Sequence, residues 1–228
     1  SGIEAGIGYS FNSAWTVGVF GGINQGDYRP DVGGKVSIDG NTWGGYVTFT
    51  PGNGFYADLS YRDIGFDGDT LYSGSNQHLD GDASGFSLEM GYGFKMQSGL
   101  EIEPQLQYSA VSVDLDNVDY ISGDFELTDG DAAQLRIGTA FRKTFNQDSG
   151  VWVPYGAISY IQNYDGSNNY LIGGVLNGQV DTSGGSMLLE LGTDARYGNF
   201  DFNVGVGWQD GGAYNSVLNG QVNVRYSW

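Results

Sequence analysis

The 228-residue sequence contains no cysteine, 40 glycines, four prolines and 27 acidic against 9 basic side chains, a net charge of −18. Disulfide frameworks and thiolate metal sites are therefore excluded, nucleic acid is a poor partner for so negative a chain, and this much glycine disfavours long helices. No run of apolar residues is long enough for a transmembrane helix, but a spanning strand shows only one apolar side chain in two and escapes that test.

Alternation with period two runs along the whole chain. Ile3, Ala5, Ile7, Tyr9 and Phe11 share one face, opposite Glu4, Gly6, Gly8 and Ser10. Segments beginning near Trp15 and Lys35 are less regular. Phe55, Ala57, Leu59 and Tyr61 then oppose Tyr56, Asp58, Ser60 and Arg62. Phe86, Leu88, Met90, Tyr92, Phe94 and Met96 oppose Ser87, Glu89, Gly91, Gly93 and Lys95. Ile102, Pro104, Leu106 and Tyr108 oppose Glu101, Glu103, Gln105 and Gln107. Leu135, Ile137, Thr139 and Phe141 oppose Gln134, Arg136, Gly138 and Arg142. After an irregular segment near Trp152, Met187, Leu189, Leu191 and Ala195 oppose Glu190, Gly192, Asp194 and Arg196. Phe200, Phe202, Val204, Val206 and Trp208 oppose Asp201, Asn203, Gly205 and Gln209, and a last segment runs from about Ser216 to Trp228. Eleven strand candidates result.

Their connections alternate. Those near 12–14, 51–54, 97–99, 146–150 and 198–199 are short. Those near 25–34, 65–84, 113–131, 163–184 and 210–215 are mostly longer and rich in Asp, Asn, Gly and Ser. Tight periplasmic turns and long external loops give a membrane barrel this rhythm. The charged face could not be packed into a dry core without prohibitive cost. The expected fold is therefore an all-β, antiparallel up-and-down transmembrane β-barrel, one domain over residues 1–228, in the bacterial outer membrane. Its apolar face meets lipid and lipopolysaccharide, and its polar face meets a wet lumen. A lipocalin-like barrel or soluble sandwich is the competing fold.

The chain ends with Val222, Val224, Tyr226 and Trp228 on one face and Gln221, Asn223 and Arg225 on the other. A final strand ending in an aromatic residue resembles the signal read by the barrel assembly machinery, by strand addition to a sheet edge. An interfacial aromatic at the end of an edge strand is the plainer reading. Placing Trp228 at the periplasmic face makes the first readable strand run downward. Single-chain bacterial barrels have an even strand number, so a twelve-stranded type with its first strand missing from this chain is expected.

Several segments, taken in order, resemble the β-domains of autotransporters: Gly44–Tyr46 with Gly54–Asp58, Leu100–Tyr108, Ala133–Ala140, Val151–Tyr155, Glu190–Gly192 and Val224–Trp228. The resemblance implies a type V secretion translocator that anchors and exports an N-terminal passenger. It also implies a linker helix in the lumen and help from the barrel assembly machinery. The linker helix and first strand have no counterpart here. A generic porin or adhesin-like barrel without passenger is the alternative.

By alternation, Glu4, Asp58, Arg62, Glu89, Lys95, Glu101, Glu103, Arg136, Arg142, Glu190, Asp194, Arg196 and Arg225 line the lumen. They either hydrate the pore and hold a polar segment in transit or, as the preferred reading has it, form cross-strand ion pairs that fix the register. Glycines on that face, such as Gly8, Gly91 and Gly192, clear room for a plug or relieve curvature. Trp15, Tyr61, Tyr108 and Trp208, with Tyr226 and Trp228, are expected in interfacial girdles. His78, the single histidine, lies in an expected external loop and could form a dyad with Asp80; a solvated loop histidine is the stronger reading. Asp-Gly-Asp triplets at 67–69, 80–82 and 129–131 lack calcium-loop spacing and fit turn chemistry. No catalytic residue, metal site or cofactor is expected, no nucleic-acid partner either, and the barrel is expected to be monomeric.

Overall fold

In the computed structural model the described residues are 1–28, 35–72, 75–116, 125–127, 130–147, 150–164, 166–172 and 176–226. They form strands throughout: β1 (Gly2–Ser10), β2 (Trp15–Tyr28), β3 (Lys35–Phe49), β4 (Phe55–Tyr72), β5 (Ser75–Tyr92), β6 (Phe94–Lys95), β7 (Leu100–Leu115) and β8 (Phe125–Leu127). There follow β9 (Ala132–Lys143), β10 (Phe145–Gln147), β11 (Gly150–Tyr164), β12 (Ser167–Ile172), β13 (Leu176–Asp181), β14 (Gly184–Tyr197), β15 (Phe200–Gly211) and β16 (Tyr214–Tyr226).

One antiparallel sheet of 13 strands dominates, in the order β1-β2-β3-β4-β5-β7-β9-β11-β14-β15-β16. β6 and β10 resume β5 and β9 after a one-residue break, pairing with β7 and β11. The path thus has the eleven strands that alternation marks, each beside its sequence neighbour. Its two ends, β1 and β16, have exposed residues almost throughout, and no ladder joins them among the described residues.

Short connections gather at one end. Gly52, Gly54 and Gly99 take positive φ there, at 83°, 99° and 78°, where a side chain would be strained. At the other end the expected loop over 65–84 is instead a ribbon: β4 and β5 pair without a break from Phe55↔Tyr92 to Tyr72↔Ser75. Val/Ile/Phe alternation is weak in this stretch, and the aspartates and glycines that suggested a loop lie on strands. The connections over 113–131 and 163–184 also carry strands, since β8, β12 and β13 form a separate three-stranded sheet.

Burial is inverted relative to a water-soluble fold. The buried polar residues are Thr42, Glu103, Ser159, Asn163 and Ser186, whereas Ile161 is the one buried large hydrophobic side chain among the described residues. Ile3, Ile7, Leu191, Val222 and Leu218 are exposed, up to 75 %. Along Phe55–Tyr61 the outward face is apolar, and Asp63 follows. From Phe55 to Asp63, where the apolar outward face ends, is nine residues, about the length a tilted spanning strand needs.

Beyond it the polarity reverses. On β3, β4, β5 and β7 the face that carries Trp43, Tyr61, Phe86 and Tyr108 goes on to Asp39, Asp67, Asp80 and Asp114. The opposite face, with Asp58, Arg62 and Glu89, goes on to half-buried Ile38, Ile64, Phe66, Leu79 and Val113. No register shift interrupts these ladders, so the side chains exchange roles and the backbone does not.

Candidate functional site

The candidate site is the polar face of the sheet. Its first feature is aromatic rings laid over glycine. A Cβ at Gly8 or Gly18 would strike Tyr46, one at Gly91 would strike Tyr56, and one at Gly192 or Gly205 would strike Tyr155. Tyr46 lies opposite Gly18 in the β2–β3 ladder, Tyr56 opposite Gly91 in β4–β5, and Tyr155 opposite Gly192 in β11–β14. These glycines are filled by neighbouring rings rather than left as open space. An amphipathic phenol gains apolar contact this way and keeps its hydroxyl free for polar partners.

The second feature is a set of ion pairs that tie strands together. Arg136 on β9 meets Glu89 on β5 at 3.0 Å, reaching across β7, and Glu89 also accepts the Tyr56 hydroxyl at 2.8 Å. Arg142 meets Glu103 at 3.0 Å, and the same oxygen of Glu103 accepts the Gln105 amide at 2.8 Å. Arg62 on β4 spans β3 and β2 to reach Glu4 on β1 at 2.9 Å, with its guanidinium 4.8 Å from the Phe20 ring centroid. Gly22 and Gly44 lie under that path, and a side chain at Gly44 would collide with Phe20. Near the short-turn end Asp201 holds both Arg196 and Arg225.

Neutral hydrogen bonds fill the intervals. Gln107 and Ser109 each donate to the Ser87 hydroxyl at 3.0 Å, and Thr48 donates to Asp58 at 2.6 Å. Asn203 donates to Asp194 at 2.8 Å and accepts from Gln221 and Asn223. Charged partners shorten and strengthen such bonds, and a low dielectric raises the cost of breaking them.

Of the residues expected on this face, Glu4, Arg62, Glu89, Arg136, Glu103, Arg142, Arg196 and Arg225 are thus brought into ion pairs. Asp58 and Asp194 are hydrogen-bonded. Lys95 sits opposite Glu101 in the β6–β7 ladder. Glu190 faces Ala157 and Gly207 across its two ladders. Sequence reasoning missed Tyr46, Tyr155 and Phe20. The strands beginning near Lys35, Trp152 and Trp15 alternate poorly because these inward rings break the apolar-out pattern. The spacing of an aromatic from a cross-strand glycine would have found them once the register was known.

The outward face carries the expected aromatics. Trp15 packs on Phe49 with centroids 4.4 Å apart, Tyr61 on Trp43 at 5.6 Å and Tyr108 on Phe86 at 5.8 Å. Trp208 donates its indole N–H to Ser216 at 2.9 Å. Val222, Val224 and Tyr226 are on this face as well, opposite Val204, Phe202 and Phe200; Trp228 lies outside the described residues.

His78 belongs to β5 rather than to a loop. Its Nε2 is 3.0 Å from Asp80 and its Nδ1 3.7 Å from Asp69, all on the outer wall and well exposed. No group of three or more metal-ligating side chains is found among the described residues. Asp67, Asp69, Asp80 and Asp82 lie on paired strands, whereas 129 lies outside the described residues.

Residues 1–223 match the family model described as autotransporter β-domain. A curated relative, the putative uncharacterized protein YaiT of Escherichia coli K12, is 28% identical over 230 residues, covering 95% of this chain. The chain spans only 23% of that relative's length. Among solved structures, the β-domain of the Bordetella autotransporter BrkA superimposes with a TM-score of 0.69 at 22% identity, covering 100% of this chain and 90% of its own. The transport unit of AIDA-I from Escherichia coli gives 0.73 at 16%, with coverages of 100% and 81%. The translocator domain of NalP from Neisseria meningitidis gives 0.72 at 11%, with coverages of 99% and 79%.

Proposed function

We propose a passenger-exporting role from one established premise: this chain belongs to the autotransporter β-domain family. Such a domain is an outer-membrane barrel that acts as a translocator. On this reading the chain anchors and delivers to the cell surface a passenger encoded upstream. The observation that carries the reading is the inverted burial, with carboxylates and hydroxyls turned in and isoleucine, leucine and valine turned out. A strand wall of that kind is stable only with hydrocarbon outside and water within.

In this arrangement the polar face lines the lumen and the short turns face the periplasm. An upstream strand closes the sheet between β1 and β16, completing twelve. The ion pairs and tyrosine–glycine contacts hold the wall while a passenger segment passes, and the barrel works as a monomer without metal or catalytic residue. Lipopolysaccharide surrounds the outward apolar face. Insertion uses the barrel assembly machinery, which reads a signal made by Val222, Val224, Tyr226 and Trp228.

The test is an epitope placed in the reading frame upstream of Ser1, followed by protease shaving of intact cells. Export predicts an epitope displayed and removed by the protease. Intact cells that insert the barrel yet never display the epitope would favour a barrel without passenger. Deleting Trp228 is expected to lower the amount of heat-resistant, membrane-inserted barrel.

A further inference from the structure

Gly45 sits on the outward, apolar face of β3, between Val19 on β2 and Tyr61 on β4. A Cβ there would meet only the Gly18 carbonyl oxygen at 3.2 Å and Val19 at 3.8 Å, so no side chain roofs the position. Gly156, on the same face of β11, is different: the Leu191 side chain closes the gap above it, 3.1 Å from where a Cβ would stand. Over Gly45 the space remains as a groove of about 570 Å³, walled by Val17, Val47, Leu59, Trp43 and Tyr61. The Trp43 and Tyr61 rings, with centroids 5.6 Å apart, close its end nearest the β4–β5 ribbon.

A second recess, of about 320 Å³, lies on the other side of Tyr61. Phe86, Ala110 and Ala133 occupy one rung of it, and Ser84 and Ser112 the next rung towards the ribbon. Asp131 completes this polar rim, accepting the Ser112 hydroxyl at 2.6 Å. Tyr61 thus separates an apolar groove from a recess edged by hydroxyls and a carboxylate. Further along the same outer face stand Asp39, Asp67 and Asp80. That row argues against two occupants. A phosphate laid on the rim would meet like charge, and a second copy of the chain seated here would bring its own aspartates against these. An apolar chain whose head carries hydroxyl and amide donors suits both recesses, because a carboxylate accepts such donors strongly.

We propose that this flank seats one molecule of lipopolysaccharide, with an acyl chain in the groove over Gly45 and the sugar hydroxyl and amide groups of its lipid A anchor against Ser84, Ser112 and Asp131. The inference rests on the export reading, which makes the ribbon end the cell-surface end and so puts both recesses in the glycolipid leaflet. Hydrocarbon surrounds the whole belt on that reading, so apolarity alone selects no particular chain. Selection comes from close packing against the backbone that Gly45 leaves open, and from hydrogen bonds at the serine–aspartate rim. The acidic row keeps the phosphates of the lipid off the wall, and its sugars carry the contact.

The experiment uses the full-length protein, extracted from outer membranes in mild detergent, stripped of lipid and titrated with monophosphoryl lipid A. Native mass spectrometry counts the lipid retained. Wild type is expected to hold one lipid A in preference to phosphatidylglycerol, and to hold the diphosphoryl form no more tightly. Gly45→Leu, which fills the groove, is expected to weaken retention about tenfold. Gly220→Leu makes the same addition on the outward face of β16, where a Cβ would meet only the Gly205 carbonyl oxygen at 3.7 Å, and should leave retention unchanged. Ser84→Ala with Ser112→Ala is expected to weaken it about threefold, a second route to the answer if Gly45→Leu does not fold. Equal retention by wild type and these variants would overturn the proposal. So would phosphatidylglycerol held as firmly as lipid A, a wild type that retains neither, or a mass corresponding to two copies of the chain. Failure of the export reading shows itself differently: a cysteine placed at Asp80 would then react with an impermeant maleimide only after the cells are opened.

Discussion

Strands β3, β4, β5 and β7 build two regions with one continuous backbone. In the belt around Leu59, Leu88 and Leu106 the outer surface is apolar and the inner wall carries Asp58, Glu89 and Gln107. A few residue pairs further on, the outer surface carries Asp67, Asp80 and Asp114, and the inner side carries Ile64, Phe66, Leu79 and Val113. Hydrogen-bonded pairing is the same in both. What changes is the polarity of each face, and near Tyr61 and Asp63 the outer surface passes from apolar to charged side chains.

The comparison breaks most visibly if a cation is tolerated in the belt. Leu59→Arg is expected to lower folding stability in liposomes by roughly 2–4 kcal/mol, read by urea titration of tryptophan fluorescence. Asp67→Arg, the same residue introduced on the same face of the same strand, should change it by no more than about 0.5 kcal/mol. Equal costs would place the bilayer boundary elsewhere.

Within the belt, the inner wall offers the next test. Arg136→Ala leaves Glu89 with only the Tyr56 hydroxyl and is expected to cost about 1–3 kcal/mol in the same titration. Glu89→Gln with Arg136→Gln, which removes both charges, should recover part of that loss. Gly18→Val pushes on the Tyr46 ring and is expected to cost about 1–3 kcal/mol. The companion Tyr46→Ala should make Gly18→Val harmless, because the colliding ring is then gone.

The smallest effect belongs to the outer wall. Asp39, Asp67 and Asp80 occupy directly opposed positions on three neighbouring strands. Like charges so placed destabilise by a few tenths of a kcal/mol. Asp67→Asn is therefore expected to slow amide exchange in the β4–β5 ribbon slightly at low ionic strength, with the difference fading in salt.

How far the sequence carried depended on side-chain phase. The belt was legible because Phe86 through Met96 alternate without exception, and the short-turn end because the breaks near Asn12, Pro51 and Gly198 are tight. The ribbon over 65–84 was not legible. Ile64 and Phe66 are out of phase with Leu59 and Tyr61, and a reader following one apolar face sees the pattern end at Tyr61. The polar face was legible as a set of charges but not as pairs, since Arg62 reaches Glu4 across two intervening strands. Such a reach depends on sheet curvature and on the small residues beneath it. Asp201 gains its two arginines from β14 and β16, a meeting that register creates and spacing along the chain does not announce.

The opposed aspartates also bear on how such molecules share a bilayer. Two copies drifting together bring a tall, like-charged flank towards any neighbour, and their mutual repulsion extends over a screening length of about 8 Å at physiological salt. Lateral crowding would therefore turn that flank outward and bring the lower, shorter-stranded sides together. Raising the ionic strength would then let the molecules be arrayed more densely on a surface.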